Sequence, residues 1–434
     1  MAKKSKSKTG DDEEGSSSFN PYTHLDDTLD SIEKDFSLSG SGLSRDERRM
    51  NTVSLAIDLV LGGGITAGGW YTFVGGEQSS KSTLANSTMA MAVNSSIPIV
   101  SMWDYEGSSD AEYLGNILKS NRIDATVEDV FGIRDPKTGK WLVKPRVRYY
   151  SETVAEKFFD YLAKLERLLP DVRKIGDDWF YIYENTKPNK SIVGSKYDKS
   201  YFSKTGKFRV PAPNGNLQAL VICDSYPAML PEKMDTDDPS NAMAMQARMF
   251  SEQMKRVKGR MKAKRIAVIG INQLRQKPAV MFGSPEYEPG GEGLKFYSDC
   301  RIRLASRAIS AVVNGGKGYE ETEDSYNGEG EDTYRYVHAR AIKNKLSVPN
   351  LECFLRIWIT DADGAAMGID PVFDTFQYLE MTGQISGPRK KMVLKLRKHD
   401  EVTLDWGQLK TLVLGSRKEV AKVCDKIGLE KMFI

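Results

Sequence analysis

Residues 70–93 read WYTFVGGEQSSKSTLANSTMAMAV. The stretch divides into a β-type run (WYTFVGG), a polar loop closing on Lys81, and a run of residues that favour helix (KSTLANSTMAMAV). A strand that enters a helix through such a loop is built to cradle phosphate. Backbone N–H groups converge on phosphate oxygens at the helix N-terminus, a lysine neutralises them, and a hydroxyl ligates magnesium. Gly75, Gly76, Glu77, Gln78, Ser79, Ser80, Lys81, Ser82 and Thr83 follow the pattern GxxxxGK[ST] with one departure, since Ser80 stands where the second glycine is expected. By pattern alone an ordinary polar turn remains the competing reading.

Working outward, a short helix (SLAIDLVLGG) precedes this stretch, and further apolar runs follow at Ile97 to Asp104, Ala219 to Asp224 and Arg265 to Asn272, each ending in polar residues with helical stretches between. Alternating α and β with apolar strands predicts an α/β fold, a mainly parallel central sheet flanked by helices, whose ligands sit at the strand carboxyl ends. Two of those ends carry acids. Glu106 could deprotonate a water for in-line attack on a γ-phosphate, and Asp224 could partner magnesium, although an acid at a strand end is more often merely solvated. From 175 to 216 the pattern is interrupted by an insertion expected to form a β-hairpin, in which Lys187, Lys190, Lys196, Lys199, Lys204 and Lys207 interleave with aromatic residues. That composition suits phosphate and base contact, or aromatic packing beneath wet lysines.

The 434 residues suit a core with appendages, and 62 Lys+Arg against 59 Asp+Glu give a net charge of +3, so attraction to nucleic acid must come from local patches. Four scattered cysteines and three histidines indicate neither disulfides nor a zinc site, so any metal would be held by oxygen. No stretch is apolar enough to span a membrane, and the N-terminus lacks the apolar segment of a signal peptide, which leads to the expectation of a cytoplasmic protein. The chain divides into a disordered charged tail (1–19), an N-terminal oligomerisation helix and linker (20–51) with Leu25, Leu29, Ile32 and Phe36 at helical spacing, which could equally fold back on its own domain, a core (52–375) and a small α/β C-terminal domain (376–434).

Ile271-Asn272-Gln273-Leu274-Arg275, Val280 to Gly283, Pro285-Glu286, Gly290-Gly291 and Leu294 to Tyr297 resemble the DNA-binding loop region of bacterial RecA. The resemblance extends to Leu59–Gly64, the phosphate loop, Asp104/Glu106, Asp224-Ser225 and Ile342 to Leu346, covering about 52–370 without the insertion. Ser80 and Gly368 to Pro371 look more like the recombinases of large tailed phages, which would place the protein in the cytoplasm of an infected bacterial host.

The resemblance implies a RecA-like ATPase core that uses ATP and Mg2+, with Glu106 as hydrolytic base. It implies Lys81, Ser82 and Asp224 around triphosphate and magnesium, and Asp110 and Tyr113 at adenine. Gln273 would couple nucleotide to the following loop, and Lys343 and Lys345 would reach a neighbouring subunit's ATP. DNA would be met by an earlier loop from Ser240 to Arg248, with Met243 as a wedge and Arg248 on phosphate, and by a later one carrying Arg275, Pro278, Gly290 and Gly291. Glu292 puts an acid beside that bound phosphate. The function implied is DNA strand exchange by a helical homo-filament on single-stranded DNA, pairing it with double-stranded DNA. A single-strand-binding protein and a loader would be its accessory partners, and no membrane is involved. A hexameric helicase of the same fold, or a nucleotide-gated filament that coats DNA with little hydrolysis, are the rival readings. In the C-terminal domain Arg389, Lys390, Lys391, Lys395, Arg397 and Lys398 could gather duplex DNA.

Overall fold

The computed structural model describes residues 49–428 except 122, 195–205, 213–216, 233–238, 277–285, 308–332, 361–367 and 396–400. The expected tail and the helix over Leu25 to Phe36 lie outside the described residues. So do Lys196, Lys199, Lys204, Pro278, Arg397 and Lys398.

Nine strands form one sheet: β1 (Trp70–Gly75), β2 (Ile99–Asp104), β3 (Val147–Ser151), β4 (Ala219–Asp224), β5 (Ile266–Gln273), β6 (Cys300–Arg307), β7 (Thr333–Asn344), β8 (Glu352–Thr360) and β9 (Gly368–Ile369). Their order is β9-β8-β7-β6-β1-β5-β4-β2-β3. Pairing is parallel from β3 through β6 and antiparallel from β6 to β9. The helices that matter below are α1 (Leu55–Leu61), α2 (Lys81–Asn94), α3 (Ala111–Ser120), α4 (Ala155–Leu168), α5 (Pro239–Met261), α6 (Gly291–Tyr297) and α7 (Pro371–Met381).

Why both faces are covered follows from the strand period of two. In β5, Ala267, Ile269 and Ile271 join a core with Ile57, Leu84 and Ile117 of α1, α2 and α3. Ile266 and Val268 join a second core with Phe158 and Phe159 of α4 and Phe250 and Met254 of α5. Trp70 belongs to this second core, and its Nε1 donates to the Tyr226 hydroxyl at 2.8 Å. A Cβ at Gly270 would overlap the Tyr226 ring, so the strand stays apolar yet has to carry glycine there.

The expected hairpin is a three-stranded antiparallel sheet over Asp171–Ile175, Asp178–Glu184 and Lys207–Pro211, with a helix at Lys187–Val193. Its first turn is made by Gly176 at φ +65°. In its described part Phe208 is buried and stacks on Tyr183 at 5.4 Å, and Lys207 pairs with Glu184. The sheet is held at the amino ends of β4 and β5, where Val172 N donates to Ala263 O and Gln218 Nε2 to Pro170 O.

The boundary expected after residue 375 falls inside α7, whose Val372, Phe373 and Phe376 share a third core with Ile385, Met392, Leu404 and Leu409. Beyond it lie a three-stranded antiparallel sheet and two helices, each opened by a capping box, Asp405 with Gln408 and Ser416 with Glu419. Arg389 lies over the Trp406 ring at 4.3 Å, so this cation of the basic stretch is packed into the domain.

Gly270→Ala should lower the free energy of unfolding by about 1–3 kcal/mol, the usual cost of forcing a methyl into a packed core, measured by urea denaturation. An unchanged midpoint would contradict the packing described.

Candidate nucleotide and nucleic-acid site

The phosphate loop leaves β1 at Gly75, where a Cβ would collide with Leu304 O and Ser79 Oγ. Gln78 and Ser80 take φ of +54° and +62°. Ser80 therefore occupies a left-handed position that costs an L-residue roughly 1–2 kcal/mol, which is why glycine is the usual residue there. Ser80 is the N-cap of α2 without a side-chain capping bond, so the first helical turn keeps its N–H groups for a ligand. Lys81 Nζ donates to Gly76 O at 2.5 Å and to Ser79 Oγ at 3.3 Å. Burial lowers its pKa, opposed by Asp224, Glu106 and Glu77, which identifies the acids that surround it.

Register gathers those acids. Gly75 is the Cα partner of Gln273, and Asp104 that of Asp224. Asp224 is buried and neither carboxylate oxygen completes a hydrogen bond, although the Ser82 hydroxyl faces it. Burial pushes its pKa up to about 7, with the Ser82 hydroxyl pulling it back, Glu106 and Asp104 raising it, and Lys81 lowering it. An unsatisfied buried carboxylate beside a helix-start hydroxyl is an oxygen donor set suited to magnesium, and the uncapped loop suits a triphosphate. Glu106 Oε1 accepts from the Ser225 hydroxyl and from Gln273 Nε2, the latter at 2.8 Å. Asp104, which was not singled out as a site residue, organises the loop carrying Glu106 by accepting from the backbone N–H groups of Glu106, Gly107 and Ser109. Asp110 caps α3 by accepting from Tyr113 N, and the Tyr113 hydroxyl lies 3.5 Å from Thr83 Oγ1, so Tyr113 stands beside α2.

Beyond Gln273 lies a cavity of about 270 Å³ lined by Met243, Ala247, Arg275, Tyr287, Gly290 and Gly291, among others. It unites the two segments expected to meet DNA. The earlier segment is not a loop in its described part: residues 239–248 are the start of α5, as its alanines, methionines and glutamine favour once Pro239 has opened the helix. Met249 and Met254 are core, whereas Met243 is 54% exposed at the cavity. Arg248 is exposed and paired with Glu252 at 2.8 Å. Gly290 and Gly291 have φ of +91° and +73°, and Gly291 packs against Ala247, so these glycines seat α6 on α5. Two ion pairs to β6, Glu288 with Arg301 and Glu286 with Arg303, anchor the returning limb. Glu292 is paired with Lys295 at 2.6 Å, which lowers its pKa and offsets the acid placed beside the cavity.

Lys343 and Lys345 are not brought to this site. Lys343 is opposite Arg301, and the neighbouring Cys300 is opposite Tyr71 at the start of β1, about 13 Å of strand from Gly75 at roughly 3.3 Å per residue. Lys343 Nζ donates to the carbonyls of Lys295 and Phe296, and Lys345 Nζ also to Phe296 O. Burial first, then Lys345 and Arg301, lower the Lys343 pKa to about 8.

Among the described residues no helix is long and apolar enough to cross a membrane, and no group of three or more His, Cys, Asp or Glu could hold a metal ion. Residues 214–360 match the RecA N-terminal domain family. Protein RecA of Mycoplasma mobile is 35% identical over 139 residues, 32% of this chain and 37% of that protein. Protein RecA of Streptococcus mutans is 36% identical over 32% of this chain and 33% of its own length, and that of Aquifex aeolicus 34% over 31% and 35%. The chain thus spans about a third of the length of the curated relatives it matches. The family match contains Asp224, Gln273, the cavity and the lysine pair, while the phosphate loop and Glu106 precede it.

At position 80 we expect the stability order Gly at or above Ser, and Ser above Val. Ser80→Gly should leave the thermal midpoint equal or higher, and Ser80→Val should cost about 2 kcal/mol through left-handed strain in a β-branched residue. A Val variant as stable as the parent would refute the strain.

Proposed function

We propose that this chain, a member of the RecA family, is an ATP-dependent recombinase of the phage type that forms helical filaments on single-stranded DNA and exchanges it with homologous duplex. The observation that carries the reading is the Glu106–Gln273 hydrogen bond. It joins the end of β2, in register with the unsatisfied Asp224, to the strand that runs directly into the cavity of Arg275, Gly290 and Gly291.

In this reading the phosphate loop binds ATP, and Lys81 exchanges Gly76 O for the β and γ phosphates. Ser82 and Asp224 would hold magnesium, whose charge neutralises the phosphates. Glu106 accepts the proton of the attacking water. Gln273 can turn its amide from Glu106 to a phosphate oxygen, so order in the DNA-contacting segment follows the nucleotide. Asp110 and Tyr113 flank adenine. Met243, Arg248, Arg275 and the backbone at Gly290 and Gly291 grip the strand and leave base edges free for pairing. Lys343 and Lys345, at the opposite end of the sheet, serve the ATP of an adjacent subunit. The segment 20–51 links subunits and the domain 376–434 gathers duplex DNA. A single-strand-binding protein, a loader and the host cytoplasm complete the setting, with roles in homologous recombination, repair and recombination-dependent replication.

The test is phosphate release from ATP with and without single-stranded DNA. Glu106→Gln should lower the DNA-stimulated rate by at least about 100-fold, the low end for loss of a general base, while filaments persist in electron micrographs. Hydrolysis indifferent to DNA in the parent chain would remove the recombinase reading. Lys343→Ala should bind nucleotide as the parent does and lose DNA-stimulated hydrolysis by about tenfold or more. Unimpaired turnover in that variant would sink the role across subunits.

A further inference from the structure

We infer that the Tyr149 hydroxyl is a positioning group for the hydrolytic carboxylate, acting through Asp104. The inference rests on the assignment of Glu106 above. Asp104 ends β2 and is 1% exposed. Its Oδ1 accepts from Glu106 N at 3.0 Å and Gly107 N at 2.7 Å, and its Oδ2 from Ser109 N at 3.1 Å and from the Tyr149 hydroxyl at 2.7 Å. Three of these donors belong to the very loop that Asp104 organises. Among the described residues, Tyr149 is the donor that reaches it from elsewhere.

The consequence is mechanical. A carboxylate bonded only to its own loop can rotate with that loop, and the loop is exposed at Glu106, Gly107 and Ser108, with Gly107 at φ +65°. Tyr149 stands on the edge strand β3, in register with Met102, and its ring sits edge-to-face on Phe131 at 6.1 Å. Its hydroxyl is therefore fixed by the sheet, and it fixes the rotation of Asp104 in turn. The Glu106 side chain is anchored separately, by Ser225 and Gln273. Correct aim of Oε1 needs both anchors: the side-chain end on β4 and β5, and the backbone end on Asp104. Loss of the hydroxyl leaves the phosphate loop on β1 untouched, so it slows the chemical step and spares nucleotide binding. A charged acceptor in a buried site makes such a bond matter more than a neutral one.

The experiment compares the full chain with Tyr149→Phe, Phe131→Leu and Glu106→Gln, measuring DNA-stimulated ATP hydrolysis, affinity for a fluorescent ADP analogue and the thermal midpoint. We expect Tyr149→Phe to lower kcat about tenfold, with KM for ATP and ADP affinity within about twofold of the parent and an intact folded state. Phe131→Leu disturbs the ring's seat without removing the hydroxyl and should lower kcat by clearly less than Tyr149→Phe does. An unchanged kcat in Tyr149→Phe, an equal loss in Phe131→Leu, or an unfolded Tyr149→Phe chain would each overturn the positioning role. Glu106→Gln separates the two levels: if it still hydrolyses ATP, the assignment of the base fails, whereas a dead Glu106→Gln beside a normal Tyr149→Phe sinks Tyr149 alone.

Discussion

Parallel pairing of four buried strands in fixed register is the constraint on which the site depends. Because β2, β4, β5 and β1 run the same way, their carboxyl ends fall on one edge, and the pairs Asp104 with Asp224 and Gly75 with Gln273 make that edge a row of chemical groups. A slip of one residue in any strand would turn its side chains to the other face and scatter the row. The two cores, with Trp70 on one side and Tyr71 and Phe73 on the other, oppose such a slip. The site is thus a by-product of hydrophobic burial, with polar residues placed where each apolar run stops.

This explains what was legible beforehand. β1, β2, β4 and β5 are apolar on both faces, so they stand out in the sequence along with the polar residues that end them, and the phosphate loop follows from its strand and helix neighbours. β3 does not stand out: VRYYS is an edge strand with exposed Arg148 and Tyr149, and its bond to Asp104 is a contact between residues 45 apart. The antiparallel half, β6 to β9, alternates charged and apolar residues in stretches such as RIRLASR and TYRYVHARAIKN, and was readable only piecemeal. Asp104 reads as one half of an acidic pair, because the sequence does not reveal that its oxygens are taken by its own loop and by Tyr149.

Other residues carried two meanings that only packing could separate. Gly290 and Gly291 read as close approach to a ligand, and packing gives them a second task, since Gly291 also approaches α5 at Ala247. The aromatic and basic insertion reads equally as a nucleic-acid surface or a packed unit, and in its described part Tyr183 packs on Phe208. Lys343 and Lys345 are engaged with the carbonyls that end α6, so any role at another subunit's phosphates requires them to exchange those partners.

The two edges of the large sheet set how readily another strand can add to it. Among the described residues one edge is the two-residue β9, which offers little backbone to template another strand, and the other is β3, which carries exposed Arg148 and is preceded by exposed Lys144 and Arg146. Short edges and edge cations are the devices by which sheets discourage strand addition. Among the described residues the sheet is therefore protected at both edges against the uncontrolled strand addition that seeds aggregation.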